Sequence, residues 1–120
     1  MAWMFNNREA VFVQIANRLR SDILSGVYKP NEQIPAVRQL AFEASVNPNT
    51  MQKALSLLED EGILYSKGTI GRFVTDNEET LLRTKEKMKR NCVKELLSKA
   101  AEMGIGKDEL INYIKEADNI

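Results

Sequence analysis

From Val11 the apolar residues fall four apart, at Val11, Ile15, Leu19 and Ile23 with Leu24 beside the last. That spacing lines one face of an α-helix. Ser25-Gly26 ends it, and Val27 to Pro35, with two prolines and an asparagine, reads as a turn with extended flanks. Pro35 biases Ile34 toward β geometry, so a short strand is expected there. A second, short helix follows, with Val37, Leu40, Ala41 and Ala44 inward, Arg38, Gln39 and Glu43 outward, and Phe42 on the polar side. Ser45-Val46-Asn47-Pro48 interrupts this pattern. Asn47 then suits an N-cap and Pro48 the first helical position, and Met51, Ala54, Leu55 and Leu58 form the stripe of a third helix. Gly62 fits the left-handed position after it. Glu59, Asp60 and Glu61 lie at the unfavourable end of the dipole, which predicts fraying.

Two β-prone runs, Ile63 to Ser66 and Arg72 to Thr75, flank the basic, glycine-containing segment Lys67 to Gly71, the signature of a hairpin. Beyond it, Asn77 caps a long helix with Glu78 and Glu79 at its favourable end. Its apolar positions include Leu81, Met88, Cys92, Leu96, Leu97 and Met103. After Gly104-Ile105-Gly106, a closing helix over Lys107 to Ala117 shows Leu110, Ile111, Ile114 and Ala117 on one face. The predicted fold is mainly α with a small β-hairpin. Its order matches a winged helix-turn-helix at residues 1–75, with the helix-turn-helix at about 37–56 and the wing at about 63–75. Residues 76–120 form a helical hairpin that cannot bury both its faces alone.

A length of 120 residues suits one compact domain with a small appendage. The hydrophobic share, 43% against 28% charged, is that of a folding chain and not of a disordered one. No apolar run approaches the roughly 20 residues that span a bilayer, so no membrane partner is expected. One cysteine and no leader-like start favour a reducing, cytoplasmic setting. There is no histidine, which removes the usual general base and the commonest metal ligand. No metal, no cofactor and no catalytic residues are expected, since the carboxylates fall in helical faces or caps and Cys92 lies on an apolar stripe.

The third helix carries the candidate chemistry. With Met51, Leu55 and Leu58 inward, it displays Asn49, Gln52, Lys53 and Ser56, all able to bond base edges or phosphates. The turn from Asn47 to Thr50 offers backbone N–H groups and a positive dipole end. Arg38 projects from the second helix, and Lys67, Gly68 and Thr69 occupy the hairpin tip. Taken singly these are helix-start chemistry, surface charges and an ordinary tip. Their combination points to double-stranded DNA. Use of the winged helix for RNA or protein contact is the alternative, and Gly68 to Gly71 does match the GxxG spacing of an RNA-binding loop, although that loop joins helices. Seventeen basic residues are balanced by seventeen acids, so DNA affinity must come from placement and not from bulk charge.

From about Val11 to Val74 the chain resembles the GntR family of bacterial transcription regulators. The resemblance rests on Gln14-Ile15, Ile23-Leu24-Ser25-Gly26, Ile34-Pro35-Ala36-Val37-Arg38-Gln39-Leu40-Ala41, Val46-Asn47-Pro48-Asn49-Thr50, Lys53-Ala54, Leu58-Glu59, Glu61-Gly62 and Gly68-Thr69-Ile70-Gly71-Arg72-Phe73-Val74. The Val-Asn-Pro-Asn-Thr segment and the short tail resemble the YtrA-type subgroup, whose C-terminal part is a two-helix dimerisation element. The resemblance implies that Arg38 touches DNA, that Asn47, Asn49, Thr50 and Lys53 belong to the recognition segment, and that Lys67 to Thr69 belong to the wing. Better-known branches have arginines where this chain has Pro48 and Gln52. Many relatives have Pro-Ile-Tyr in place of Ala10-Val11-Phe12.

The expected function is a sequence-specific regulator, a repressor in type, that binds an inverted-repeat operator as a homodimer. Leu81, Met88, Cys92, Leu96, Leu97, Met103, Leu110 and Ile114 are the expected dimerisation residues. A ligand pocket takes roughly 300–1,000 Å³, more than the tail can enclose in one subunit, so no dedicated effector domain is expected; whether a small-molecule effector binds is left open by the sequence. The basic side chains of the long helix, Lys85, Lys87 and Lys89 among them, read either as a solvated face or as added phosphate contacts.

Overall fold

Helix α1 (Val11–Leu24) buries Ile15, Ala16, Leu19 and Ile23, the stripe that the four-residue spacing predicts. In this computed structural model, which describes residues 3–119, it is followed by α2 (Val37–Ala44), α3 (Pro48–Asp60), β1 (Leu64–Lys67), β2 (Gly71–Val74), α4 (Glu78–Glu102) and α5 (Lys107–Lys115). The chain divides into two compact units, Met1–Leu82 and Arg83–Ile120.

In the first unit α3 packs against both α1 and α2. Met51, Ala54, Leu55 and Leu58 close the core with Leu40, Ala41 and Ala44 of α2 and with Ile63 and Val74 at the base of the hairpin. Burying a side chain of this size contributes about 1.5–3 kcal/mol, so the contacts among the three helices set their crossing more firmly than the short turn between α2 and α3 does. The strands are antiparallel, with Leu64 opposite Val74, Tyr65 opposite Phe73, Ser66 opposite Arg72 and Lys67 opposite Gly71. No third strand forms before Pro35. The expected extension is reduced to a single bridge between Gln33 and Phe73, with the Ile34 N–H donating to the Arg72 carbonyl at 3.0 Å. Pro35 has no N–H to continue the ladder.

The expected fraying at the end of α3 does not occur. The N–H of Gly62, at φ +82°, donates to the Glu59 carbonyl and that of Ile63 to the Leu58 carbonyl, at 2.9 and 3.2 Å, which satisfies the last carbonyls of the helix. The acids there also have partners. Arg20 of α1 grips Glu61 through two nitrogens at 2.8 and 2.6 Å, and Arg72 of β2 pairs with Glu59. The same two-bond ending closes α2, where Ser45 takes the left-handed place at φ +58°, with bonds from Ser45 N–H to Phe42 and from Val46 N–H to Ala41.

Asn77 caps α4, its side chain accepting from the Thr80 N–H at 3.0 Å. Leu81, which the sequence groups with the dimerisation stripe, packs against the core of the first unit. In the second unit Ala100 is buried, whereas Val93 and Leu96 of α4, Met103 just after it, and Ile111, Tyr113 and Ile114 of α5 are exposed. Two helices, α4 and α5, occupy the span of the expected helical hairpin, and the exposed apolar side chains just named stay open to solvent. The closing helix also stops at Lys115, two residues short of expectation, and a turn of 3-10 helix covers Ala117–Asn119.

Candidate nucleic-acid interface

Asn47 begins α3 in extended conformation and its side chain accepts from the Asn49 N–H at 2.7 Å. Pro48 has no N–H, so this first turn presents a phosphate with fewer backbone donors than its dipole alone suggests. The polar groups that this surface offers are therefore chiefly side chains. Asn49, Gln52 and Lys53 are exposed on the face away from the buried stripe, and Thr50 is half-buried. The Gln52 amide donates to Ser56 Oγ at 3.4 Å, a weak bond that a base edge can replace. The Lys53 ammonium stands 4.4 Å from the ring centre of Phe12 on α1. Arg38, second residue of α2, is exposed and has no hydrogen bond or ion pair among the described residues.

The hairpin places Gly68, Thr69 and Ile70 at its tip, with Gly68 at φ +49° and the Ile70 N–H donating to the Lys67 carbonyl at 2.9 Å. Lys67 does not extend from the tip. Its ammonium rests 4.9 Å from the centre of the Phe73 ring and 5.9 Å from that of Tyr65, which are themselves stacked at 5.8 Å. Thr69 and Gly68 stay exposed beyond it.

Sequence reasoning missed what holds the wing. At the tip, Gln33 donates to the Ile70 carbonyl at 2.8 Å, close against Gly71. At its middle, Glu59 accepts from Ser66 Oγ at 3.0 Å and from Arg72 Nε. At its base, the Tyr65 hydroxyl donates to Asn31 at 3.0 Å, and Asn31 donates to Asp76 at 3.2 Å. The visible signal for these anchors was Glu59, an acid where the helix dipole disfavours one. Elsewhere, burial with the nearby acids Asp22, Glu43 and Glu32 pushes the Tyr28 hydroxyl above its ordinary pKa, against the opposing pull of Arg18.

No helix among the described residues is long and apolar enough to cross a membrane, and none of them group into a metal-ligating cluster of three or more His, Cys, Asp or Glu. Three helices in helix-turn-helix order, a polar outer face on α3 and an anchored two-stranded wing define a winged-helix DNA-binding protein. Residues 12–74 match the family described as bacterial regulatory proteins, gntR family, and the chain belongs to that family of DNA-binding transcription regulators, which are not enzymes. It is similar to the HTH-type transcriptional repressor YtrA of Bacillus subtilis, 34% identical over 107 residues that cover 88% of this chain and 82% of that protein. Among solved structures, a GntR family transcriptional regulator from Listeria monocytogenes superposes with a TM-score of 0.84 at 24% identity, covering 95% of this chain and all of that one. AraR(DBD) in complex with operator ORX1 superposes with a TM-score of 0.54 at 27% identity, over 60% of this chain and 93% of that one.

Proposed function

We propose that the protein is a homodimeric transcriptional repressor that reads an inverted-repeat operator, each protomer laying the exposed face of α3 in a major groove. One observation carries this reading. A single helix buries Met51, Ala54, Leu55 and Leu58 while holding Asn49, Gln52 and Lys53 clear on the other side. These side chains supply the donors and acceptors that base edges require. Arg38 then takes a flanking phosphate. The wing tip, Lys67 to Thr69, lies along the neighbouring backbone.

The repressor role is supported by the name of the YtrA relative, and operator binding by that of the AraR(DBD) complex. Dimerisation is supported by the open apolar positions of the second unit, Leu96, Met103 and Ile114 among them, which a second copy related by a two-fold axis would cover. Such a dimer presents its recognition helices to half-sites about one helical turn, roughly 34 Å, apart.

The test uses a labelled duplex selected by the full-length protein from a random-sequence library. Anisotropy at fixed salt should give tight binding to the selected inverted repeat, much weaker binding to one half-site, and weaker still to a scrambled duplex. Equal affinity for all three defeats the reading. Sedimentation should show a dimer that Leu96→Glu with Ile114→Glu converts to a monomer, with loss of the preference for paired half-sites.

A further inference from the structure

The wing is tied to α3 by one carboxylate. Glu59 lies in the last turn of α3, where the helix dipole and the neighbouring Asp60 and Glu61 all oppose a negative charge. A carboxylate in that place needs compensation, and the hairpin supplies it. Ser66 and Arg72 face each other across the strands, so their side chains leave the sheet on one side, and both donate to Glu59. The next rung outward is Lys67 opposite Gly71, and beyond it lies the tip.

We propose that Glu59 is a positioning residue for DNA recognition. Through Ser66 and Arg72 it sets the angle and reach of the wing tip relative to the recognition face of α3. Asn49 and Glu59 are separated by ten helical steps, about 15 Å, along one rigid helix. That helix therefore bears base-reading groups at one end and the wing's anchor at the other. The contact has a further effect on charge. Arg72, although basic and on the wing, spends its charge on Glu59 and is not a phosphate contact, which leaves Lys67, held over the Phe73 and Tyr65 rings, as the wing's cation without an ion pair among the described residues.

Gln33 holds the tip by a separate bond to the Ile70 carbonyl. Loss of Glu59 therefore loosens the wing without detaching it. The proposal rests on the reading of the wing as a DNA contact, and the test separates the two.

Full-length Glu59→Gln keeps the side-chain shape and removes the charge. Amide hydrogen exchange should quicken across residues 64–74 with little change in the buried amides of α1. Affinity for the selected duplex should fall about tenfold, the scale of one lost contact. In a Lys67→Ala, Thr69→Ala background the same substitution should cause no further fall, since the tip no longer has contacts to misplace. Exchanging the pair as Glu59→Arg with Arg72→Glu should recover most of the affinity.

Unchanged wing exchange in Glu59→Gln overturns the clamp. An undiminished affinity loss in the tip-less background shows that Glu59 acts through general stability, and overturns positioning. If Lys67→Ala with Thr69→Ala leaves affinity unaltered, the wing contact itself is wrong and positioning falls with it. Hydrogen exchange then still reports whether Glu59 restrains the strands.

Discussion

Lys53, on the outer face of α3, holds its ammonium 4.4 Å from the centre of the Phe12 ring on α1. The contact ties a candidate DNA-binding side chain to a different helix, and it fixes where that charge waits before DNA arrives. A cation over a phenyl ring at an exposed site contributes about 0.5–1 kcal/mol. Phe12→Leu should lower stability by about that amount in denaturant titration while leaving the salt dependence of DNA binding unchanged. Lys53→Ala should instead reduce the salt slope by about one, because a phosphate contact and its released counterion are lost. A slope that falls equally in both variants would show that Phe12 is needed to present the lysine.

The left-handed Ser45 between α2 and α3 gives a second prediction. A side chain at φ +58° is strained, and glycine is not. Ser45→Gly should stabilise the first unit by about 1 kcal/mol and raise its melting temperature by roughly 4–8 °C, as scanning calorimetry would detect. An unchanged or lower melting temperature would mean that the serine side chain compensates its backbone.

At the wing tip, a β-carbon on Gly71 would stand 2.6 Å from Gln33 Nε2, and the residue sits at φ +140°. Gly71→Ala therefore displaces Gln33 and breaks its bond to the Ile70 carbonyl as well as straining the backbone. Gln33→Ala loses the bond without the clash. Gly71→Ala should be the more destabilising, by about 1–3 kcal/mol for the strained backbone. Both should weaken DNA binding, measured by anisotropy at fixed salt.

Tyr28 predicts an alkaline limit. Burial and the surrounding acids Asp22, Glu43 and Glu32 raise its pKa in the folded protein above the ordinary value of 10.0. Between the unfolded and folded pKa values the folded state holds a proton that the unfolded state has released. The tyrosine's contribution is therefore complete below pH 10 and is lost as pH rises through the folded value. Urea unfolding from pH 8 upward should show stability falling less steeply above pH 10 in Tyr28→Phe than in the native protein. Parallel curves would show that the neutral hydroxyl is not specially favoured by folding.

Local order was legible in the sequence. The stripe Ile15, Leu19, Ile23, the Asn47-Pro48 helix start and the glycines flanking the wing tip each follow from periodicity or backbone preference, which act over a few residues. What escaped was side-chain pairing at long separation. Arg20 and Glu61 are 41 residues apart, and their pairing cancels a dipole penalty that, judged locally, predicts fraying. Lys53 and Lys67 were legible as candidate contacts, yet not their resting places over Phe12 and the Phe73–Tyr65 stack, because nothing in spacing tells which ring lies beside a flexible lysine. The break at Pro35 was visible. That it reduces a strand to one bridge depends on which edge of the hairpin the segment meets.

Trp3, the chain's single tryptophan, packs on the core of the first unit with the Arg18 guanidinium 4.1 Å from its ring centre. Intrinsic emission excited at the indole band therefore reports on the first unit alone, whereas circular dichroism also sees α4 and α5. The two signals recorded on one sample during heating divide the molecule spectroscopically. Coincident transitions would mean that the tail and the winged helix melt as one cooperative body, and separate transitions that the second unit comes apart on its own terms.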